Sequence, residues 1–505
     1  MKKILAVLVG VLILCFLPLS HAKADTRSDV ENRLDQIEKE LAALKKEVSS
    51  QKEAWEKNIG FLKSIRLGGE IRTRWEILDA FDLDRNNTDD FFLIRTRFSI
   101  EATPVENLRI FIQAQDARVG GDERDVRGGM RGDLQYVRFQ SFHDDNNLDL
   151  KQGYFDIANL GGLPVTLRIG RQVLSYGDER LVGANDWDNF GRSFDAVKLI
   201  IEPAEGVQVD AWYAKVVEEL KDDRLDEDDD VDFYGLYMTT SNFEDVGLKT
   251  MDLYGLVLRD SGLDNTMKPG TLMLPAGLVR DLDAKDSATI WTVGTRLVGV
   301  LPMLETLDYN VETAVQMGSI GADTHHAWAI HGEVGMSFPD IMMAPRIGAF
   351  FAHASGDSSP SSGSSNTFLN LFPENHDKYG RIDFMNWQNM YDVGGNITIK
   401  PIEGLTAIIE YHNLRLAEEN DAWYGSPRPD LYFMSGKRVN IDGENGVGDE
   451  VDLTLQYDYN EYVSFEGGYS LFIHGDLIRR GLDKGGFRTS TNESNWGYLQ
   501  AKVHF

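Results

Sequence analysis

From Ile65 to the last residue, Phe505, apolar and polar side chains alternate with a period of two, in segment after segment. Ile65, Leu67, Gly69, Ile71, Thr73, Trp75 and Ile77 alternate with Arg66, Gly68, Glu70, Arg72, Arg74 and Glu76. Ile94, Thr96, Phe98, Ile100 and Ala102 alternate with Arg95, Arg97, Ser99, Glu101 and Thr103, and the pattern returns at 305–317, 326–338, 449–458, 461–472 and 495–505. Side chains of a strand point to opposite faces in turn, so each segment is a strand with one apolar and one polar side. The spacing predicts strands at 65–78, 91–103, 106–117, 148–157, 164–175, 194–203, 206–217, 231–240, 249–260, 288–299, 305–317, 326–338, 344–355, 391–401, 404–415, 449–459, 461–473 and 495–505. That is about eighteen, an even number as bacterial single-chain barrels require.

The connections carry their own signal. They are mostly short after even-numbered strands and mostly long after odd-numbered ones, as at 118–147, 173–193, 355–390 and 416–448. A soluble sandwich has no reason to keep that parity, whereas an outer-membrane barrel has short periplasmic turns and long outer loops. Three short turns repeat one another: Pro104-Val-Glu-Asn107-Leu, Pro203-Ala-Glu-Gly206-Val and Pro401-Ile-Glu-Gly404-Leu. Proline presets φ, and Gly or Asn is expected in the left-handed position before the next strand. The chain closes on an alternating strand ending in Phe505, the signature that barrel-assembly machinery reads.

Composition excludes other classes. A mean hydropathy of −0.31 is too low for a polytopic helical membrane protein but not for a barrel, whose strands are half apolar. The net charge of −30 argues against a nucleic-acid partner. One cysteine, Cys15, leaves neither an intrachain disulfide nor a cysteine-based metal cluster.

Residues 1–24 read as a signal peptide: Lys2 and Lys3, an apolar run from Ile4 to Leu19, and the small-residue site Ala22-Lys23-Ala24. Loss of its three lysines takes the net charge from −30 to −33. Residues 25–60 read as a periplasmic stalk, and 61–505 as the barrel. In the stalk Leu34, Leu41 and Val48 fall at heptad position a, with Val30, Ile37 and Leu44 at d, and Trp55 continues the a series. This narrow seam predicts a coiled coil, and Leu at a with Ile at d leans toward three or more strands. A homotrimer through residues 28–57 is one reading. A single amphipathic helix lying on the barrel is the other.

If the apolar faces meet lipid, strands one to five turn Arg66, Arg72, Arg74, Arg95, Arg97, Arg109 and Arg168 inward. Guanidinium groups stay charged and bind carboxylates in a bidentate fork, so such a wall would attract an acidic solute. Later strands turn Asp308, Glu312, Glu333, Glu410, Asp452 and Glu466 inward, and pairing of these charges across neighbouring strands is the plainer reading.

Arg168-Ile-Gly170-Arg171-Gln172 is followed by Tyr176-Gly177-Asp178-Glu-Arg180-Leu181, Gly183, Asp186-Trp187, Asn189, Gly191-Arg192 and Phe194-Asp195. This run resembles the alginate-export family of outer-membrane channels. The resemblance implies an 18-stranded barrel passing an anionic polyuronate through an arginine-lined pore. It adds Arg171, Arg192 and Asp195 to the substrate-passage set of Arg72, Arg74, Arg95, Arg97, Arg109 and Arg168. The helical stalk departs from the family's best-known form.

Weaker signals complete the reading. Asp82-Leu-Asp84-Arg-Asn86 begins like a calcium loop but has Asn87 where the turn needs Gly and Leu93 where it needs Glu. The acidic residues of 218–232 fit a solvated loop or cation bridging to lipopolysaccharide. His325, His326 and His331 lack a ligand partner at a recognisable spacing, so no metal site is expected. Ser358 to Ser365 reads as a loop tip or internal plug. No nucleophile elbow, P-loop or dinucleotide fingerprint occurs, so neither an enzyme nor a cofactor is expected. The function expected is a passive outer-membrane channel for an anionic polysaccharide or related acidic solutes, set in lipid and lipopolysaccharide. A general or substrate-selective uptake porin, docking or trimerising through its stalk, is the alternative.

Overall fold

A computed structural model describes residues 26–80, 83, 88–120, 148–216, 231–241, 243–263, 286–359, 362–425, 444–481 and 491–505. The expected signal peptide, residues 82 and 84–87 of the calcium-like loop and nearly all of the acidic run at 218–232 lie outside the described residues. So does much of the loops at 118–147 and 416–448. The chain divides into residues 1–64 and 65–505. In the first part a helix, α1, runs over Thr26–Lys63.

The second part is a barrel of eighteen antiparallel strands. They are β1 (Ile65–Asp79), β2 (Thr88–Val105), β3 (Leu108–Gly120), β4 (Leu148–Ile157), β5 (Val165–Gln172) and β6 (Phe194–Ala204). Next come β7 (Val207–Val216), β8 (Val231–Thr240), β9 (Leu248–Leu263), β10 (Asp286–Leu301), β11 (Leu304–Ile320) and β12 (Asp323–Ser337). The last are β13 (Arg346–Ala354), β14 (Met390–Ile402), β15 (Leu405–Leu416), β16 (Gly446–Asp458), β17 (Val463–His474) and β18 (Glu493–His504). Each strand pairs with its sequence neighbours, and β18 closes on β1 from Glu70↔His504 to Asp79↔Asn495. Closure leaves no unpaired edge, the condition for a sheet in lipid.

Every expected span holds one strand. Several strands run further than the alternation does: β2 starts at Thr88, and β9 continues to Leu263. Alternation marks only the lipid-facing band, while backbone pairing continues where both faces are polar. The short turns follow their expected chemistry in part. Gly206 and Gly404 take positive φ, at 70° and 77°. Asn107 does not. Its carbonyl instead accepts from the Ala158 N–H, and Asn159 in the next turn has φ 53°.

The apolar face of the wall points outward. Ile71, Trp75, Ile94, Phe98, Leu236, Trp291, Trp328, Ile397, Tyr411 and Tyr469 are all exposed. Aromatic residues gather toward the long-loop end, where Trp75 pairs with Phe92 and Tyr213 with Tyr234. Such girdles mark where a barrel meets the lipid–water boundary. The core is therefore inside the barrel. Inward strand residues such as Phe194, Trp212, Phe233, Leu258, Ile290 and Phe472 form its wall, and two loops fill it with Leu174, Leu181, Val182, Phe368, Leu369, Phe372, Phe384 and Trp387.

Candidate functional site: two loops folded into the barrel

The β5–β6 loop (173–193) touches inward-facing residues of strands spread around the wall. A loop reaches walls so far apart in strand order only by crossing the lumen. It crosses in three steps, each fixed by polar side chains.

The first step is at β7 and β8. Tyr176 donates its hydroxyl to Asp210 at 2.7 Å and stacks on Trp212 and Tyr237, with centroids 4.8 and 4.6 Å away. The second is at β10 to β12. Asp178 accepts from Arg296 and Asn310, and Arg180 Nη2 lies 3.0 Å from His331 Nε2.

The third step is at β1 to β4, where basic side chains grip the backbone of 186–190. Arg72 donates to the Asp186 carbonyl at 2.7 Å and the Asp188 carbonyl at 3.0 Å. Arg74 donates to the Trp187 carbonyl at 2.8 Å, and its guanidinium lies 3.7 Å from the Trp187 ring. Arg95 reaches the Asp186 carbonyl and carboxylate at 3.0 and 3.1 Å, and Arg97 reaches that carboxylate at 2.6 Å. Lys151 and Gln115 both donate to the Phe190 carbonyl, at 2.9 and 3.0 Å. Gly191, at φ 65°, lets the chain pass: a Cβ there would sit 2.8 Å from Lys151 Nζ.

The β13–β14 loop (355–389) lies against the first. Gly183 N–H donates to the Phe372 carbonyl at 2.7 Å, and Phe372 N–H donates back to Leu181 at 2.9 Å. Arg192 donates to the Pro373 carbonyl at 2.9 Å, and His376 stacks on Trp187 at 3.7 Å. Ser364 and Ser365, at the end of the serine-rich stretch, pair in parallel with Thr324 and His325 of β12.

Charge in the loops is set by these contacts. Burial works against ionisation of Asp186, but Arg95, Arg97 and Arg72 outweigh it and hold the carboxyl below its usual range. Glu374 has the opposite setting. Burial, with Asp188, Asp377 and Glu179 nearby, pushes it up to about 8. Burial and the charges of Arg381 and Arg74 push His376 down to about 3.

A second arginine group lies at the short-turn end. Arg168 forks onto Asp156 at 2.7 and 3.0 Å. Arg109 bridges Asp156 at 3.1 Å and Glu101 at 2.6 Å, and Arg66 lies 3.7 Å from Glu101. The Arg109 side chain keeps 34% of its exposure and that of Arg66 84%. Across the lumen Arg346 binds Asp308 and Glu333 at 2.6 and 2.9 Å.

Thus four expected passage residues, Arg72, Arg74, Arg95 and Arg97, converge on the β5–β6 loop, while Arg109 and Arg168 form a separate group. Arg192 belongs to the contact between the loops. Arg171 and Asp195 pair with each other at 2.9 Å, but on the outer face of the wall. Their strands turn Arg168, Phe194, Ala196 and Lys198 inward, so residues of opposite parity face out. The expected inward carboxylates are also paired: Glu410 with Arg381, Glu466 with Tyr498, Glu312 with Tyr254. Lys151, Lys198, Arg296 and Arg346 were missed as lumen residues; the same parity argument extended to later strands would have found the last three, whereas Lys151 sits at a bulge in β4 that inverts the parity.

The alginate-export family model matches residues 63–489. No curated protein matches the chain. Solved barrels share the fold at low identity. OccK11 (OpdR) of Pseudomonas aeruginosa is 11% identical at a TM-score of 0.53, covering 88% of this chain and 97% of that one. OpdK of the same organism, solved with vanillate, is 11% identical at 0.52, covering 88% and 99%. OccAB4 of Acinetobacter baumannii is 10% identical at 0.53, covering 88% and 98%. A match over most of the length, on a closed barrel with an apolar outer face, places the chain in the alginate-export family of outer-membrane channels.

Proposed function

We propose that the protein passes small acidic solutes passively across the outer membrane, with its short-turn end and α1 in the periplasm. The observation that carries this reading is the group at the short-turn end, where the carboxylates that Arg66, Arg109 and Arg168 pair with among the described residues are Glu101 and Asp156. Three guanidinium groups against two carboxylates leave one positive charge in excess, on side chains that remain partly exposed. Partial exposure matters, because transport needs binding weak enough to release. Arg72, Arg74, Arg95, Arg97 and Arg192 contribute by holding the loops that narrow the lumen. OpdK, a barrel of the same fold, was solved with vanillate, a small carboxylate. Family membership favours a second cargo, an anionic polysaccharide, for which the loops tied across the lumen would have to move aside.

Planar-bilayer recording separates the two. Small carboxylates and oligouronates are added in turn to the wild-type channel. Anion-selective reversal potentials with block by both ligands support the acidic-solute reading. Block by oligouronates alone assigns the polymer, and cation selectivity without block by either overturns the acidic cargo altogether.

A further inference from the structure

The strongest unassigned surface is the helix α1. Its side chains are exposed over 32–52, including the apolar seam Leu34, Ile37, Leu41, Leu44 and Val48, each 44–56% exposed. In water a stripe of that kind needs a cover, and its spacing of three and four fits the seam of another helix. The positions flanking the seam say which helix. With Leu34, Leu41 and Val48 at a, position g holds Arg33, Glu40 and Glu47, and position e holds Glu38, Lys45 and Lys52. In a parallel, in-register coiled coil each g residue meets the e residue five positions later on the neighbouring chain. The three meetings are Arg33 with Glu38, Glu40 with Lys45, and Glu47 with Lys52. All three are of opposite charge.

We propose that α1 of three copies of this chain joins in a parallel, in-register coiled coil, making the channel a trimer. Parallel orientation is also what a shared membrane imposes. Ser64 alone separates α1 from β1, and copies inserted the same way present their helices the same way. Confinement to one membrane raises the effective concentration of so short a coil. Leu34 and Leu41 at a with Ile37 at d between them favour three or more strands over two. Glu40 and Glu47 accept hydrogen bonds within the helix from Gln36 and Gln51 at 3.3 Å, which leaves their second oxygens for a lysine of the neighbour.

The test is charge exchange on the full-length protein in mild detergent, with mass read by light scattering and barrel folding by heat-modifiable migration on a gel. The wild type is expected at the mass of three chains. Glu40→Lys with Glu47→Lys opposes like charges at two of the three meetings and should give single chains with a folded barrel. Adding Lys45→Glu and Lys52→Glu reverses both partners and should restore three chains. Residues five apart on one helix do not face each other, so restoration reports contact between chains. A wild type that runs as one or two chains overturns the trimer. A charge-reversed variant that stays trimeric, or that the second pair fails to restore, overturns the parallel in-register pairing.

Discussion

Two arginine groups face the same lumen, and they are used differently. Arg72, Arg74, Arg95 and Arg97 are buried and give most of their hydrogen bonds to the backbone and carboxylate of one loop. Arg66, Arg109 and Arg168 pair with side chains of the wall itself and remain partly open to solvent. Residue type and inward parity are identical in the two. What separates them is what folds against them. A guanidinium whose donors are taken by fixed carbonyls orders a chain, whereas one with spare exposure can exchange partners with a passing anion.

Removing the loop's anchors is the largest change that would break this comparison. Arg95→Glu with Arg97→Glu sets two carboxylates against Asp186 and turns attraction into repulsion at the loop's main anchor. The β5–β6 loop should leave its seat while the barrel stays closed, since its strand pairing is untouched. Single-channel conductance should rise severalfold. Trypsin should then cut at Arg180 or Arg192, which are buried or tied to the second loop in the native protein. Unchanged conductance and no new cleavage would mean that the apolar contact between the loops holds the seat alone.

The barrel was legible in the sequence because lipid enforces period two on every strand, and parity could be counted. The contents of the barrel were much less so. The run from Arg168 to Asp195 stood out as a motif, yet nothing in its spacing says that Tyr176, Asp178 and Asp186 each reach a different part of the wall. Such contacts span more than a hundred residues of sequence, as between Asp178 and Asn310. Arg171 and Asp195 show the same gap from the other side. Their motif neighbours face inward, and only strand parity, applied residue by residue, turns these two out. In the helix the seam is readable, but a single chain leaves it uncovered.

A smaller effect sharpens the role of the loop junction. Glu374 is raised from 4.5 to about 8, so the seated loops hold a proton there that a released chain would give up. Between those values the native state binds more protons, and stability falls as pH rises. Below 6.5 the buried neutral His376 opposes this trend, so the seat should loosen as pH climbs from about 6.5 to about 8, seen as more frequent gating in bilayer traces. Asp186 has the opposite shift: its contribution is complete above the ordinary carboxyl range and is lost only in strong acid, outside that window. Glu374→Gln should remove the dependence between pH 6.5 and 8. If gating in that variant still follows pH, another group controls it.

The smallest expected effect belongs to the second arginine group and tests whether its exposure is useful. Arg109→Gln removes one guanidinium from the three that face Glu101 and Asp156, leaving charge in balance there. Arg168 still forks onto Asp156, so the wall should keep its shape. A partly exposed charge interacts by about 0.5 kcal/mol, which corresponds to roughly a twofold drop in the anion-to-cation permeability ratio. Conductance should barely change, because no loop is released. Raising salt should shrink the difference between wild type and variant, since screening acts within about 10 Å at 0.1 M. The matching change at the buried group, Arg97→Gln, should do the reverse, altering gating through Asp186 with little effect on selectivity. If Arg109→Gln leaves the reversal potential where it was and Arg97→Gln moves it, the acidic solute passes by the loop anchors, and the division of labour between the two groups is the wrong way round.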